Sequence, residues 1–131
     1  MFRQDPFARH LGIELVALDD GYARTALVVR PEHLNYQGAG HGGLIFSLAD
    51  TAFGAASNSH GRVAVGLVVT IHYIAPVAVG DRLEAEARLE HLGGRTGLYH
   101  IEVRSATGTL VASAQGMVYR RNEENLAADG G

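Results

Sequence analysis

The sequence predicts an α+β domain in which one long central helix is wrapped by a curled antiparallel sheet of about six strands. Residues 42–59 form a single long stretch that is apolar on nearly every side, as in a helix buried all round. Several later segments alternate apolar and charged residues with the period of two that is typical of half-buried strands. A helix of that kind requires a sheet curled around it, and 131 residues suffice for one such core.

The first part of the chain predicts a short helix, a hairpin and a loop that leads into the long helix. Residues 6–11 form the short helix, and strands over 13–18 and 22–30 are joined by an Asp-Asp-Gly turn. Residues 31–40 form the loop. We expect the long helix to run from about Gly42 to Ser59 and to stop at Gly61.

Every segment after residue 63 predicts a strand. Residues 67–74 are apolar on both faces, which favours a central strand against the helix. Residues 83–90 and 99–104 alternate buried-type and charged side chains, which indicates strands with one wet face. Residues 110–119 complete the sheet.

Composition and charge exclude several classes of function. The chain has no cysteine, so a disulfide, a thiolate metal site and a thiol nucleophile are all excluded. The net charge of −3 opposes binding to nucleic acids and to anionic membranes, and no segment has the continuity of a membrane span or of a signal peptide. We therefore expect a cytoplasmic protein. Its domain covers residues 1–121, and the polar, acidic residues 122–131 are expected to be a disordered tail.

A glycine-rich turn joins directly onto the long helix and predicts a site for a polarised oxygen. Glycines at 38, 40, 42 and 43 let the backbone approach a ligand closely. The first N–H groups of a helix have no partner within it, so they can donate to a negative or polarised oxygen.

Asp50 is the unexpected residue of this helix, because a buried carboxylate is costly unless it is paired or used. Ser57, about two turns further on, shares its face, and so do Phe46, Phe53 and Gly54. Gly42 and Asp50 are about 12 Å apart along the helix axis at about 1.5 Å per residue. They cannot both reach one reacting carbonyl in the same chain, so an active site here would be shared between two antiparallel helices of a twofold dimer.

The ordered motifs around this helix resemble those of the hotdog-fold acyl-CoA thioesterases, in particular the phenylacetic-acid-degradation branch. The resemblance is carried by the following residues, in chain order: Leu11-Gly12-Ile13, Asn35, His41-Gly42-Gly43, Ala49-Asp50, Ser57, Ile74-Ala75-Pro76, Gly80-Asp81 and Gly94-Arg95-Thr96. It implies a hotdog fold that hydrolyses an acyl-CoA to a free acid and coenzyme A without a metal or an organic cofactor. It also implies a homo-oligomer, at least a dimer and as a rule a dimer of dimers.

The resemblance gives roles to two residues of the helix. Asp50 becomes the catalytic carboxylate, which either takes a proton from the attacking water or attacks the thioester itself to give a mixed anhydride. The Gly42 N–H polarises the thioester oxygen.

Three further polar residues have two interpretations each. His41 holds the loop by hydrogen bonds to the backbone or contacts the sulfur side of the thioester. Asn35 orients substrate or water, or it forms a turn. Ser57 positions water near Asp50, or its hydroxyl bonds back to the helix carbonyl at Phe53.

The substrate-binding candidates are Gly43, Phe46, Phe53 and Arg95. The two aromatic rings beside small residues predict a flat apolar slot, so we expect a phenylacetyl-type acyl group, with medium-chain acyl-CoA as the alternative. Arg95 is expected at a coenzyme A phosphate, a role that Arg62 and Arg82 could share. A hotdog dehydratase of 3-hydroxyacyl thioesters is a weaker alternative, since it needs a histidine paired with a carboxylate. The other histidines lack metal-ligand spacing, so no metal site is expected.

Overall fold

The computed structural model describes residues 5–59 and 61–124 and confirms the α+β architecture with one long helix and six strands. The elements in chain order are α1 Pro6–Leu11, β1 Glu14–Asp19, β2 Tyr22–Val28, a 3-10 turn Pro31–His33, α2 Gly42–Ser57, β3 Arg62–Tyr73, β4 Arg82–Leu92, β5 Thr96–Ser105 and β6 Leu110–Glu124.

The six strands form one antiparallel sheet in the order β1-β2-β4-β5-β6-β3, which is open, with β1 and β3 at its edges. Helix α2 packs mainly against β2, β4 and β5. Alanines on the inner face of β4 let the helix lie close to the sheet, as Ala85 and Ala87 are completely buried. The core therefore lies between the middle of the sheet and one side of α2.

The alternation predicted for residues 83–90 and 99–104 is confirmed. The side chains of Leu83, Tyr99 and Ile101 are completely buried, while Glu84, Glu86 and Glu102 lie on the other face and form ion pairs with arginines.

The prediction that residues 67–74 form a central strand is wrong, because β3 is an edge strand. Its apolar side chains reach solvent: Leu67 is 55% exposed, Val68 58% and Tyr73 53%. Strand β6, predicted to complete the sheet, lies between β5 and β3. Because Leu67 and Val68 point to opposite faces of the strand, apolar side chains of β3 are exposed on both faces at this edge of the sheet.

Strand β6 continues to Glu124, which pairs in register with Arg62. The predicted tail over 122–131 therefore begins with three strand residues, and 125–131 lie outside the described residues. Among the described residues, no helix has both the length and the apolar character needed to cross a membrane.

Candidate active site

Helix α2 leaves one stripe of residues uncovered by the sheet. The stripe consists of exposed or half-buried residues three or four positions apart: Gly43, Ser47, Asp50, Thr51, Gly54 and Asn58. The prediction of a helix buried all round, with Asp50 inside the core, is thus wrong. The reason is that an open sheet covers only the side of α2 that carries residues such as Leu48 and Ala52.

Asp50 lies in a cavity of about 450 Å³ on this stripe, together with Phe46, Asp5 and Phe7. Within residues 5–59 and 61–124 the Asp50 carboxylate has no hydrogen-bond or ion-pair partner. The cavity is open to solvent at its mouth. Partial burial still raises the pKa of Asp50, because it disfavours the charged form, and the negative charge of Asp5 raises this pKa further. An unpaired carboxylate with a raised pKa is a competent proton acceptor.

The start of α2 holds a second polar group, the N–H of Gly42. His41 caps the helix, as its Nδ1 accepts a hydrogen bond from the Gly43 N–H at 2.8 Å. In the described part of the chain the Gly42 N–H has no acceptor, as expected for the first residue of a helix. The geometry matches the interpretation of His41 as a residue that holds the backbone.

Asn35 forms a turn that places its side chain close to Gly42. Its Oδ1 accepts hydrogen bonds from the N–H groups of Gln37 at 2.9 Å and Ala39 at 3.2 Å. Gly38 completes this turn with a φ of +83°, a conformation that favours glycine. Asn35 and Gly42 then line one recess of about 320 Å³, together with Tyr73 at the end of β3.

In one protomer the two halves of the predicted site lie in different recesses. The Gly42 recess does not include Asp50, and the Asp50 cavity does not include Gly42. This agrees with the separation calculated from the helix rise. A single chain therefore does not bring the Gly42 N–H and the Asp50 carboxylate to one carbonyl.

Ser57 and Phe53 lie in the core, so the structure does not bring them to Asp50 as predicted. Ser57 is 3% exposed, and its hydroxyl donates to the Gly54 carbonyl at 3.2 Å, within its own helix. Phe53 is 2% exposed and packs edge-on against Tyr99 with 5.8 Å between ring centroids. The Phe53 ring also lies against Gly116, where an added Cβ would stand 2.7 Å from it.

Asp5, just before α1, and Phe7 of α1 complete the Asp50 cavity, and neither was among the predicted site residues. Asp5 caps α1, since its Oδ1 accepts from the Ala8 N–H at 3.1 Å. Ser47 and Thr51 also line the cavity, and their hydroxyls donate to helix carbonyls one turn back. The spacing of small polar side chains along α2 is the sequence signal that could have identified Ser47 and Thr51.

Arg95 lies in the turn between β4 and β5, where its Nη1 donates to the Tyr119 hydroxyl at 2.9 Å. Arg62 and Arg120 donate to the carbonyls of Gly94 at 3.3 Å and Gly93 at 3.0 Å, so three arginines surround this turn. Arg82 lies elsewhere and pairs with Glu84. Neither recess described above includes Arg95. The described residues contain no group of acidic, cysteine or histidine side chains that could hold a metal ion.

Comparison with known proteins agrees with this fold. The model of the thioesterase superfamily matches residues 37–112. The chain is 40% identical to the acyl-coenzyme A thioesterase PaaI of Escherichia coli over 92% of this chain and 86% of that protein. It is 43% identical to a putative esterase of Archaeoglobus fulgidus over 95% of this chain and 80% of that protein.

Solved structures lead to the same family. The structure of E. coli PaaI, from the phenylacetic acid degradation operon, superposes with a TM-score of 0.92 at 39% identity, covering 95% of this chain and 90% of that one. A Streptococcus mutans protein solved with acetyl-CoA superposes with a TM-score of 0.80 at 31% identity, over 83% and 88% of the two chains. The chain belongs to the thioesterase superfamily and has its hotdog fold. It is an acyl-CoA thioesterase, similar to PaaI.

Proposed function

We propose that this enzyme hydrolyses aromatic, phenylacetyl-type acyl-CoA thioesters and that Asp50 is its catalytic carboxylate. The observation that carries the proposal is the Asp50 carboxylate, which has no partner among the described residues and lies in a cavity that Phe46 also lines. An aromatic wall beside the reacting group favours a ring over a flexible aliphatic chain. The similarity to PaaI, from a phenylacetic acid degradation operon, supports the same class of substrate.

The chemistry follows from the two polar groups. The Gly42 N–H donates to the thioester oxygen and stabilises the negative charge that develops as the carbonyl carbon becomes tetrahedral. The Asp50 carboxylate either takes a proton from water that attacks this carbon, or attacks it directly. In the first route the tetrahedral carbon expels the thiolate, the carbon–sulfur bond breaks, and the thiolate takes up the proton that Asp50 accepted, which gives the carboxylic acid and coenzyme A. In the second route the same bond breaks as a mixed anhydride forms on Asp50, and water then hydrolyses the anhydride to release the acid and restore the carboxylate. Asn35, half-buried beside Gly42, orients the thioester or the water.

The active site is formed by two protomers, since Asp50 and Gly42 lie in separate recesses of one chain. We propose that a second copy pairs with the β3 edge. This strand has 12 residues with exposed Leu67, Val68 and Tyr73. An exposed, long, apolar edge is prone to pair with another chain, and covering it also covers the Gly42 recess, which Tyr73 lines. Two such dimers would form the expected tetramer.

Arg95, with Arg62 and Arg120, is proposed to bind the phosphates of coenzyme A. Guanidinium groups suit phosphate oxygens because they donate in a planar, two-pronged geometry. No ion pair between described residues joins His41 to a carboxylate, which counts against the dehydratase alternative, since that chemistry needs a histidine paired with a carboxylate.

The test of the catalytic role is the substitution Asp50→Asn, assayed for thiol release from phenylacetyl-CoA. An amide has nearly the same shape but cannot accept the proton, so kcat should fall about 100-fold or more with a modest change in KM. Ser57→Ala is the matched control, because its hydroxyl is bonded within the helix core. Turnover by the Asn variant near the wild-type rate would rule out the proposed mechanism.

The shared site is tested by mixing two inactive variants. Asp50→Asn lacks the carboxylate, and Gly42→Trp blocks the other recess. A hybrid dimer carries one site with both defects and one site with neither, so mixing after partial unfolding should restore up to about half of the activity per hybrid. If each site were built from one chain, the mixture would stay inactive.

Substrate preference is tested with phenylacetyl-, hexanoyl- and acetyl-CoA. Because an apolar pocket distinguishes one methylene by about 1–3 kcal/mol, kcat/KM for acetyl-CoA should be at least about tenfold below that for phenylacetyl-CoA. A smooth rise with aliphatic chain length and no advantage for the ring would reject the aryl assignment and leave the thioesterase activity standing.

A further inference from the structure

A groove between α1 and α2 adjoins the Asp50 cavity, and its polar lining includes Glu32, His33 and His41. We call it the α1–α2 groove and define it by the apolar side chains that line it: Phe7, Leu11, Leu34, Leu44 and Phe46. Its volume is about 440 Å³, within the range of about 300–1,000 Å³ that is usual for small-molecule sites.

The groove and the Asp50 cavity share a boundary. Phe7 from α1, together with Phe46 and Ser47 from α2, lines both spaces. The Ser47 hydroxyl donates to the Gly43 carbonyl at 2.8 Å, so its hydrogen is already engaged. A group that extends from Asp50 into the groove therefore lies against the side chains of Phe7 and Phe46.

The α1 wall is held in place by contacts at both of its ends. Asp5 caps its first turn, and Gly12, with a φ of +80°, ends it. The Arg30 guanidinium reaches across from the end of β2 and donates to the His10 carbonyl at 3.0 Å. Phe7 is nevertheless 62% exposed, because it projects from this fixed helix over the open side of α2.

We infer that the α1–α2 groove binds the acyl group of the substrate and that Phe7 is a specificity-determining residue. The inference rests on the proposed function, because it requires a thioester whose carbonyl lies at Asp50. From that carbonyl two chains leave in different directions, the acyl group and the pantetheine arm. Pantetheine carries two amides that need hydrogen-bond partners, whereas half of the residues that line the groove are leucines and phenylalanines, which suit an apolar acyl group.

The test compares the ratio of kcat/KM for phenylacetyl-CoA to that for acetyl-CoA in three variants. Phe7→Ala removes one aromatic wall and should lower this ratio about tenfold, the size expected for lost contacts of a ring in an apolar pocket. Leu34→Phe fills the groove from the loop side and should lower it as well. Leu18→Ala is the control, since Leu18 is 48% exposed on β1 and lines neither space, so the ratio should stay at the wild-type value.

An unchanged ratio in both Phe7→Ala and Leu34→Phe would overturn the inference. An equal loss of kcat/KM for both substrates would also overturn it, because such a loss would indicate that the groove binds pantetheine instead. Assays with hexanoyl-CoA test the groove independently of the proposed preference for aromatic acyl groups. If the wild type favours hexanoyl-CoA over phenylacetyl-CoA, the aryl assignment fails, yet the hexanoyl-to-acetyl ratio of the variants still tests the groove. Thermal melting of each variant verifies that it is folded.

Discussion

Replacing Gly42 with proline removes the N–H group that we propose as the oxyanion donor and should leave the fold unchanged. Gly42 is the first residue of α2, and its N–H makes no hydrogen bond to the described residues. Proline is favoured at this helix position because the missing N–H was unpaired and the fixed φ suits the helix. The preceding residue must be extended, and His41 already is, with φ −66° and ψ 138°. We therefore expect Gly42→Pro to fold.

The expected loss follows from the proposed role of the Gly42 N–H as the oxyanion donor. Removing one such donor costs about 2.7–4 kcal/mol in the transition state, which corresponds to a fall in kcat of about 10²–10³. The proline ring also occupies the space where the N–H pointed, so the loss is expected at the upper end of that range. Stability should change little, since a compatible proline adds about 0.4–1 kcal/mol by restricting the unfolded chain.

Gly42→Ala is the matched control, because it keeps the N–H and adds only a methyl group. A Cβ at this position would stand 3.5 Å from the Tyr73 ring, which is an ordinary contact. The assay is single-turnover hydrolysis of phenylacetyl-CoA for both variants, with melting temperature and oligomeric state measured in parallel. If folded Gly42→Pro retained more than about a tenth of the wild-type kcat, the Gly42 N–H would not be the donor.

Three further predictions follow from the electrostatics and packing. Asp5→Asn keeps a good helix cap but removes the charge that helps raise the pKa of Asp50, so the acidic limb of the kcat/KM–pH profile should move to lower pH. Burial, and then the Arg30 charge, lowers the pKa of His33 in the folded protein. The unfolded chain thus binds this proton more readily, and stability should fall as the pH drops through about 6.5, an effect that His33→Gln should reduce in melts at pH 7.5 and 5.5. Phe53→Ala should lower the free energy of unfolding by about 3–5 kcal/mol without a selective loss of kcat/KM for aromatic substrates. A selective loss of kcat/KM in a variant of unchanged stability would instead show that Phe53 contacts the substrate.

The elements that the sequence predicts well are those whose pattern is local. The start of α2 at Gly42 is signalled by the glycine turn and the histidine cap, and the alternation in β4 and β5 identifies their buried faces. Asn35 and His41 were each given two interpretations, and the backbone-holding one matches the hydrogen bonds of both. These features depend on neighbours within a few residues, so they can be inferred without the fold.

The rotation of α2 about its axis could not be inferred in the same way. Ser57 is seven positions from Asp50 and was expected beside it, yet it is buried where Asp50 is exposed. The helix carries small alanines on several sides, so its apolar pattern does not define one buried face. The side that faces the sheet is decided by tertiary contacts, such as the packing of Phe53 against Tyr99 and Gly116.

The error at β3 has the same physical origin as the separation of Gly42 from Asp50 within one chain. A strand that is apolar on both faces is either covered by its own chain or by another chain, and the sequence pattern is the same in both cases. A single protomer has an open edge at β3, and its sheet leaves one stripe of α2 uncovered. In the same protomer Gly42 and Asp50 lie in separate recesses. A twofold-related copy that pairs along β3 would cover the edge and bring a second Tyr73 and Gly42 into the interface. A charged substitution at Val68 should therefore abolish both dimer formation and hydrolysis, although Val68 lines neither half of the site.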